Sequence, residues 1–148
     1  MAVNKPIIKL ESITLSNIDI YKSLVEKSVK DLNFTYFQKR DPLKAIKNHC
    51  RTIILLVDKQ IAGYYHLDQN AQKTWFGIFI VEEYRGKGFG KLLLKDAQEF
   101  SIINKIDLHL MVYTNNINAF KMYQEMKFNI ISTIDDKIFM RWNSVNKK

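Results

Sequence analysis

The sequence predicts an α/β domain of the α+β kind, with a mixed, mostly antiparallel sheet of roughly seven strands flanked by roughly four helices. Three observations predict it. Early antiparallel hairpins are followed by one βαβ crossover. Apolar residues recur at helical spacing in some stretches and on one side of a strand in others. Turn-forming residues punctuate the boundaries between them. The element order is β-α-α-β-β-β-α-β-α-β-β.

Ile7 to Thr14 forms an opening strand, and Ser16 or Asn17 caps a helix to Val29 with Ile20, Leu24, Val25 and Val29 at helical spacing. Residues 31–40 are polar and aromatic, and Asp41-Pro42 then starts a short helix, since proline is tolerated in a first turn. Arg51 to Val57 and Gln60 to Leu67 make a hairpin about Asp58-Lys59. Lys73 to Val81, rich in aromatic and β-branched residues, is the next strand. A glycine-punctuated turn leads into a helix with Phe89, Leu92, Leu93, Ala97 and Phe100 on one face. Ile106 to Val112 is the crossover strand, and Asn116 or Asn118 caps a helix through Met126. Ile130 to Thr133 and Lys137 to Trp142 close the chain as a hairpin about Asp135-Asp136.

Bulk properties bound the function. With 148 residues, 47% of them hydrophobic, the chain can build one continuous core, so residues 1–148 are expected to form a single domain. No apolar run approaches the roughly 20 residues that cross a bilayer. Met1 to Lys9 lacks the apolar stretch of a secretory signal, so a cytoplasmic protein with no membrane partner is expected. One cysteine and three histidines exclude an internal disulfide framework and argue against a metal site. Cys50 precedes a buried-looking strand and is expected to be a small core residue, not a nucleophile. The net charge of +8 comes from scattered lysines, which suit a solvated surface. No helix-turn-helix, RRM or zinc signature supports a nucleic-acid partner.

Ile78 to Leu94 is the most informative stretch. A strand ends, the chain turns through Gly86, Gly88 and Gly90, and an amphipathic helix begins at once. Glycine admits positive φ and lets a ligand approach the backbone. The unpaired N–H groups of a helix's first turn, with the helix dipole, attract a phosphate-sized anion. Arg85, Lys87 and Lys91 add positive charge. The loop fails as a P-loop because Leu92 stands where magnesium needs a hydroxyl. It fails as a dinucleotide fingerprint because Lys91 replaces the third glycine and Asp107 begins the next strand instead of ending it.

Arg85-Gly86-Lys87-Gly88-Phe89-Gly90 resembles the pyrophosphate signature of the GNAT N-acetyltransferases, [Q/R]-x-x-G-x-[G/A]. Residues 116–128 are similar to that family's N-x-x-A-x-x-x-Y-x-x-x-G-F segment, and the separation of the two motifs matches. Lys127 stands where the family usually has glycine, and Glu82 where it often has proline.

The resemblance implies a GNAT-like fold and acetyl-CoA as co-substrate. It implies pyrophosphate contacts from Arg85, Gly86, Lys87, Gly88, Phe89 and Gly90, with charge from Lys91. It further implies pantetheine pairing with the backbone of Phe79, Ile80 and Val81, a crossover strand splayed from that edge, and Asn116 near the pantetheine arm. Tyr123 matches the tyrosine that protonates the departing thiolate. The implied reaction is direct attack of an amine on the thioester, with no acyl-enzyme.

A general base remains open among His66, Asp68, His109, Glu82 and Glu83, with His66 the first choice. For the acceptor, Phe34, Tyr36 and Arg40 lie in an aromatic, cationic segment that could stack on a sugar or base and bind phosphate. That segment resembles one in GNAT proteins that acetylate amino-sugar nucleotides. The expected partner is therefore a small-molecule amine, with an amino sugar first and an aminoglycoside, polyamine or other small amine open, and the expected assembly a monomer or homodimer. A protein amine as acceptor, or a catalytically idle acyl-CoA sensor, are the alternatives.

Overall fold

The computed structural model describes residues 5–146. Its strands are β1 (Ile8–Ser12), β2 (His49–Val57), β3 (Gln60–Asn70), β4 (Lys73–Ile80), β5 (Leu108–Tyr113), β6 (Asn129–Ile134) and β7 (Lys137–Trp142). The helices are α1 (Ile18–Ser28), α2 (Pro42–Ala45), α3 (Phe89–Asn104) and α4 (Ile117–Glu125), in the expected order. The strands form one seven-stranded sheet ordered β1-β2-β3-β4-β5-β7-β6. Every pairing is antiparallel except β4 with β5.

Local chemistry explains the connections. Asp58 and Lys59 both hold positive φ, 48° and 68°, the pair of left-handed residues that lets a two-residue turn follow the twist of its strands. The Asp41 carboxylate accepts the Leu43 N–H at 3.0 Å and starts α2, with Pro42 in the first turn. At the start of α1, Ser16 and Asn17 belong to a 3-10 turn, and the Asn17 carboxamide reaches back to the Thr14 N–H at 2.7 Å.

Strand alternation divides the core between the two faces of the sheet. On one face, Ile53, Leu55, Tyr65, Leu67 and Phe76 pack with Leu93, Leu94, Ala97 and Tyr123 from α3 and α4. On the other, Ile54, Tyr64 and Phe79 pack with Tyr21 and Leu24 of α1 and with Phe37. Along α3, Leu94 is buried, whereas Leu92, assigned to the apolar stripe from sequence, is 36% exposed. Cys50 is exposed at the start of β2, correcting the expectation of a core residue.

The parallel pair sets up the site. β4 and β5 pair only at Thr74 with Leu108 and Trp75 with His109. Beyond that row β4 continues to Ile80 and β5 to Tyr113 with no ladder between them. The strands therefore diverge toward their C-terminal ends, leaving a wedge in the sheet whose apex is the Trp75–His109 row.

Candidate functional site

The wedge opens into a cleft of about 1290 Å³. At its wide end the chain leaves β4, makes a short 3-10 turn over Glu82–Tyr84 and enters α3 through the glycine loop. Gly86 and Gly88 hold φ of +75° and +86°, a conformation open to glycine. No protein atom lies within 4 Å of where a Cβ would stand on either residue, so that stretch of backbone faces open cleft. The first hydrogen bond of α3 runs from the Leu92 N–H to the Gly88 carbonyl at 3.2 Å. The amides before it are free of helical partners, and the α3 dipole points its positive end at them. This cradle fits a pyrophosphate. Gly90 serves packing instead, since a Cβ there would stand 3.1 Å from the Met122 sulfur of α4.

The three cations around the loop are placed differently from one another. The Arg85 guanidinium donates to the Ile80 carbonyl at 2.8 Å and to Asp31 Oδ2 at 2.7 Å. These bonds tie the side chain down beside the cleft, which Arg85 also lines. Lys87 lies outside the cleft lining, with its ammonium 5.7 Å from the Tyr84 ring centroid. Lys91 lines the cleft and pairs with Glu125 of α4 at 2.6 Å.

The β4 edge offers its backbone unevenly. The Val81 N–H donates to the Ala62 carbonyl at 2.8 Å and its own carbonyl accepts the Tyr84 N–H at 2.8 Å, so its backbone is spent. In an antiparallel ladder the residues that exchange hydrogen bonds alternate along a strand. With Val81 bonded toward β3, Phe79 is bonded that way too, opposite Tyr64. The backbone groups that face the wedge are those of Ile78 and of Ile80, whose carbonyl already accepts Arg85 Nε at 2.8 Å. Ile78 was missed from sequence, although strand parity could have found it once one β3–β4 bond was known.

Tyr123 is 6% exposed and reaches the cleft from the α3–α4 face. It packs against Phe128 and, edge-on, Phe76. Burial pushes its phenol well above the ordinary value, so it stays protonated near neutrality and available as a donor. Asn116 lines the cleft at the N-cap of α4.

His66 approaches from the opposite face of the sheet. It is 2% exposed, bonds the Tyr64 hydroxyl through Nδ1, and stacks 4.5 Å from the His49 ring and 4.1 Å from Tyr36. Gly77, opposite it on β4, leaves room for the ring, since a Cβ there would sit 2.3 Å from His66 Cε1. Burial, then the neighbouring His49 and Arg40, holds the His66 imidazole well below its ordinary value. A ring so hard to protonate is a poor base near pH 7.

Beside it runs a directed chain of hydrogen bonds. The Tyr36 hydroxyl donates to Asp68 Oδ2 and therefore accepts from His49 Nε2 at 2.9 Å. That fixes His49 Nδ1 as the acceptor from the Thr52 hydroxyl at 2.9 Å. Burial is the main reason the His49 imidazole is lowered to about 4, which keeps it neutral. Arg40 lies 4.3 Å over the Tyr36 ring and bonds the Tyr36 carbonyl at 3.1 Å. Phe34 packs among Tyr36, Phe37, Tyr64 and Phe79.

Phe34, Tyr36, Arg40, His66, Tyr123, Asn116, Ile80 and Phe79 all line the one cleft with the loop residues, while Val81 and Lys87 do not. Of the candidate bases, His66 and Asp68 line it; His109, Glu82 and Glu83 do not. Among the described residues no group of three or more His, Cys, Asp or Glu is placed to hold a metal ion, and no helix is long and apolar enough to cross a membrane.

Comparison with known proteins matches residues 16–128 to the model of the acetyltransferase (GNAT) family. A 74-residue stretch is 32% identical to the spermine/spermidine N(1)-acetyltransferase of Bacillus subtilis, covering 48% of this chain and 49% of that protein. The match thus spans about half the length of the curated relative. Among solved structures, the spermidine/spermine N-acetyltransferase SpeG from Vibrio cholerae superimposes with a TM-score of 0.71 at 21% identity, covering 93% of this chain and 94% of that one. The PaiA N-acetyltransferase from Thermoplasma acidophilum, in complex with coenzyme A, gives 0.70 at 17% identity, covering 92% and 98%. At these identities the structural likeness speaks to the fold.

Proposed function

The chain belongs to the GNAT acetyltransferase family, and on that premise we propose that it transfers an acetyl group from acetyl-CoA to a primary amine of a small molecule. The observation that carries the proposal is the wedge between β4 and β5 running from the glycine loop to the apex row, with polar side chains reaching it from both faces of the sheet. When bound, acetyl-CoA supplies an activated thioester: the C–N bond forms as the C–S bond breaks, the thiolate takes up one proton, and the ammonium substrate releases two in all.

The chain's own residues then have separable tasks. The free amides of residues 86–91 hold the pyrophosphate, and the backbone of Ile78 and Ile80 orients the pantetheine arm. Tyr123, kept protonated by burial, donates a proton at the sulfur. Arg85 fixes the loop's approach through Ile80 and Asp31. The polyamine acceptors named for the curated relatives favour a cationic small amine. A second reading, an amino-sugar nucleotide, is favoured by Phe34, Tyr36 and Arg40 lining the same cleft.

The test is an amine panel containing polyamines, simple alkylamines and amino-sugar nucleotides, assayed for free thiol release from acetyl-CoA. Turnover with one class identifies the acceptor. Tight binding of coenzyme A with no amine acetylated would instead identify a sensor.

A further inference from the structure

We infer that Asp68 is the group that binds the reacting ammonium of the acceptor, an inference that rests on the acetyl-transfer reading above. Three independent features converge on it. The first is position. Asp68 stands directly opposite Trp75 on β4, and Trp75 is in turn level with His109 on β5. These three residues form one row across the sheet, and that row is the apex of the wedge. An arm that enters at the glycine loop and follows β4 past Ile80 and Ile78 brings its far end to this row. His66 sits one inward-facing position nearer the loop, opposite Gly77.

The second feature is an unmet bond. Asp68 Oδ2 accepts the Tyr36 hydroxyl, but Oδ1 is buried and has no hydrogen-bond partner. A buried carboxylate oxygen without a donor is costly, and a carboxylate can only accept, so the missing partner must bring its own protons. Asp68 lines the cleft, so a partner entering there reaches the buried Oδ1 by a shift of the carboxylate. An ammonium, with three donors and a positive charge, fits best.

The third is the surround. Trp75, opposite Asp68, lines the cleft and presents an aromatic ring, which attracts cations, whereas the Tyr36 ring already carries the Arg40 guanidinium 4.3 Å from its centroid. The chain Thr52–His49–Tyr36 points its donors toward Oδ2 and fixes the carboxylate's orientation, leaving Oδ1 for the ligand. Arg40, Lys73, Arg85, Lys91 and Lys137 also line the cleft, but all are solvent-exposed, where their charge is screened. The substrate class that follows is a primary amine bound as its cation, with an apolar or aromatic body beside the amine.

The test uses the full chain saturated with coenzyme A, probed by ligand-observed NMR with 2-phenylethylamine and spermidine, each against a neutral alcohol of matching body. The wild type is expected to prefer at least one amine over its alcohol by tenfold or more. Asp68→Asn is expected to weaken that amine at least tenfold, leave the alcohol and coenzyme A unchanged, and raise the KM for the amine without raising that for acetyl-CoA. Equal affinity of amine and alcohol for the wild type overturns the inference without any variant. Unchanged amine binding in a folded Asp68→Asn overturns it while the acetyl-transfer reading stands. Failure to bind coenzyme A at all would bring down the underlying reading itself, and this inference with it.

Discussion

Arg85 and Asp31 stand 54 positions apart in the chain, and their guanidinium and carboxylate meet at 2.7 Å. The pair joins the glycine loop to the segment that holds Phe34 and Tyr36, because Asp31 Oδ1 also accepts the amides of Asn33 and Phe34 at 2.8 and 2.9 Å. The guanidinium and those amides together hold the Asp31 carboxyl below its ordinary value despite the opposing cost of burial. Either single change, Asp31→Ala or Arg85→Ala, is expected to raise the KM for the acceptor severalfold. Because the two act as a unit, the double variant should be little worse than the worse single. Fully additive losses in steady-state kinetics would show that the contact is idle.

Tyr123→Phe removes a hydroxyl that no protein group engages among the described residues, so the fold has little to lose. Its melting temperature should stay close to wild type while kcat falls by about 100-fold or more, the range of a lost general acid. Wild-type kcat in a correctly folded variant would release Tyr123 from that role.

Gly77→Ala places a Cβ against the His66 ring, which cannot easily give way because Tyr36 and His49 stack around it. Overpacking of this kind costs about 1–3 kcal/mol. Thermal unfolding should report a fall of roughly 3 °C or more for a chain of this size. An unchanged midpoint would mean that the imidazole is loosely held.

Lys127 follows α4 with φ of 74°, the left-handed position that usually takes glycine. The lysine has not remodelled the turn: the Phe128 N–H still reaches the Tyr123 carbonyl at 3.0 Å. Lys127→Gly should therefore stabilise the protein by about 0.5–1 kcal/mol, the strain removed less the glycine entropy. Urea titration would detect it as a higher midpoint at constant slope.

The buried histidines should make the fold acid-sensitive. The His49 imidazole is held at about 4 and that of His66 well below its ordinary value, both mainly by burial. In the unfolded chain each takes up its proton near pH 6.5. As pH falls from about 6.5 to about 4, the unfolded state binds protons that the folded state refuses, so stability declines across that window. For His49 alone the loss is of the order of 3 kcal/mol. His49→Gln should flatten the dependence of the urea midpoint on pH, and an equal slope in the two proteins would contradict this account.

Much of the architecture was legible because it rests on short-range chemistry. The Asp58-Lys59 turn, the Asp41-Pro42 start and the glycine loop each declare themselves in a few residues, and the two family motifs bring Asn116 and Tyr123 with them. What was hidden depends on partners far along the chain. Whether Ile78 or Phe79 offers its backbone to the wedge is a matter of strand parity, set only when β3 docks. Leu92 and Leu94 exchange roles through a modest rotation of α3 about the stripe. Cys50 looked internal from its apolar followers, but it is the second residue of β2, where a register shift breaks the ladder with β3. The turn of Arg85 toward Asp31 has no local signal at all.

Tyr123 and Asp68 belong to opposite faces of one sheet and meet the same opening between β4 and β5. On the acetyl-transfer reading, two substrates that approached from opposite sides would not compete for a doorway, and each could leave without waiting for the other. A single inhibitor that joined them would have to be threaded through the sheet like a bolt through a plate. Its linker would be governed by the thickness of one layer of backbone, and a tether too short to cross that layer would leave one of its two ends undocked.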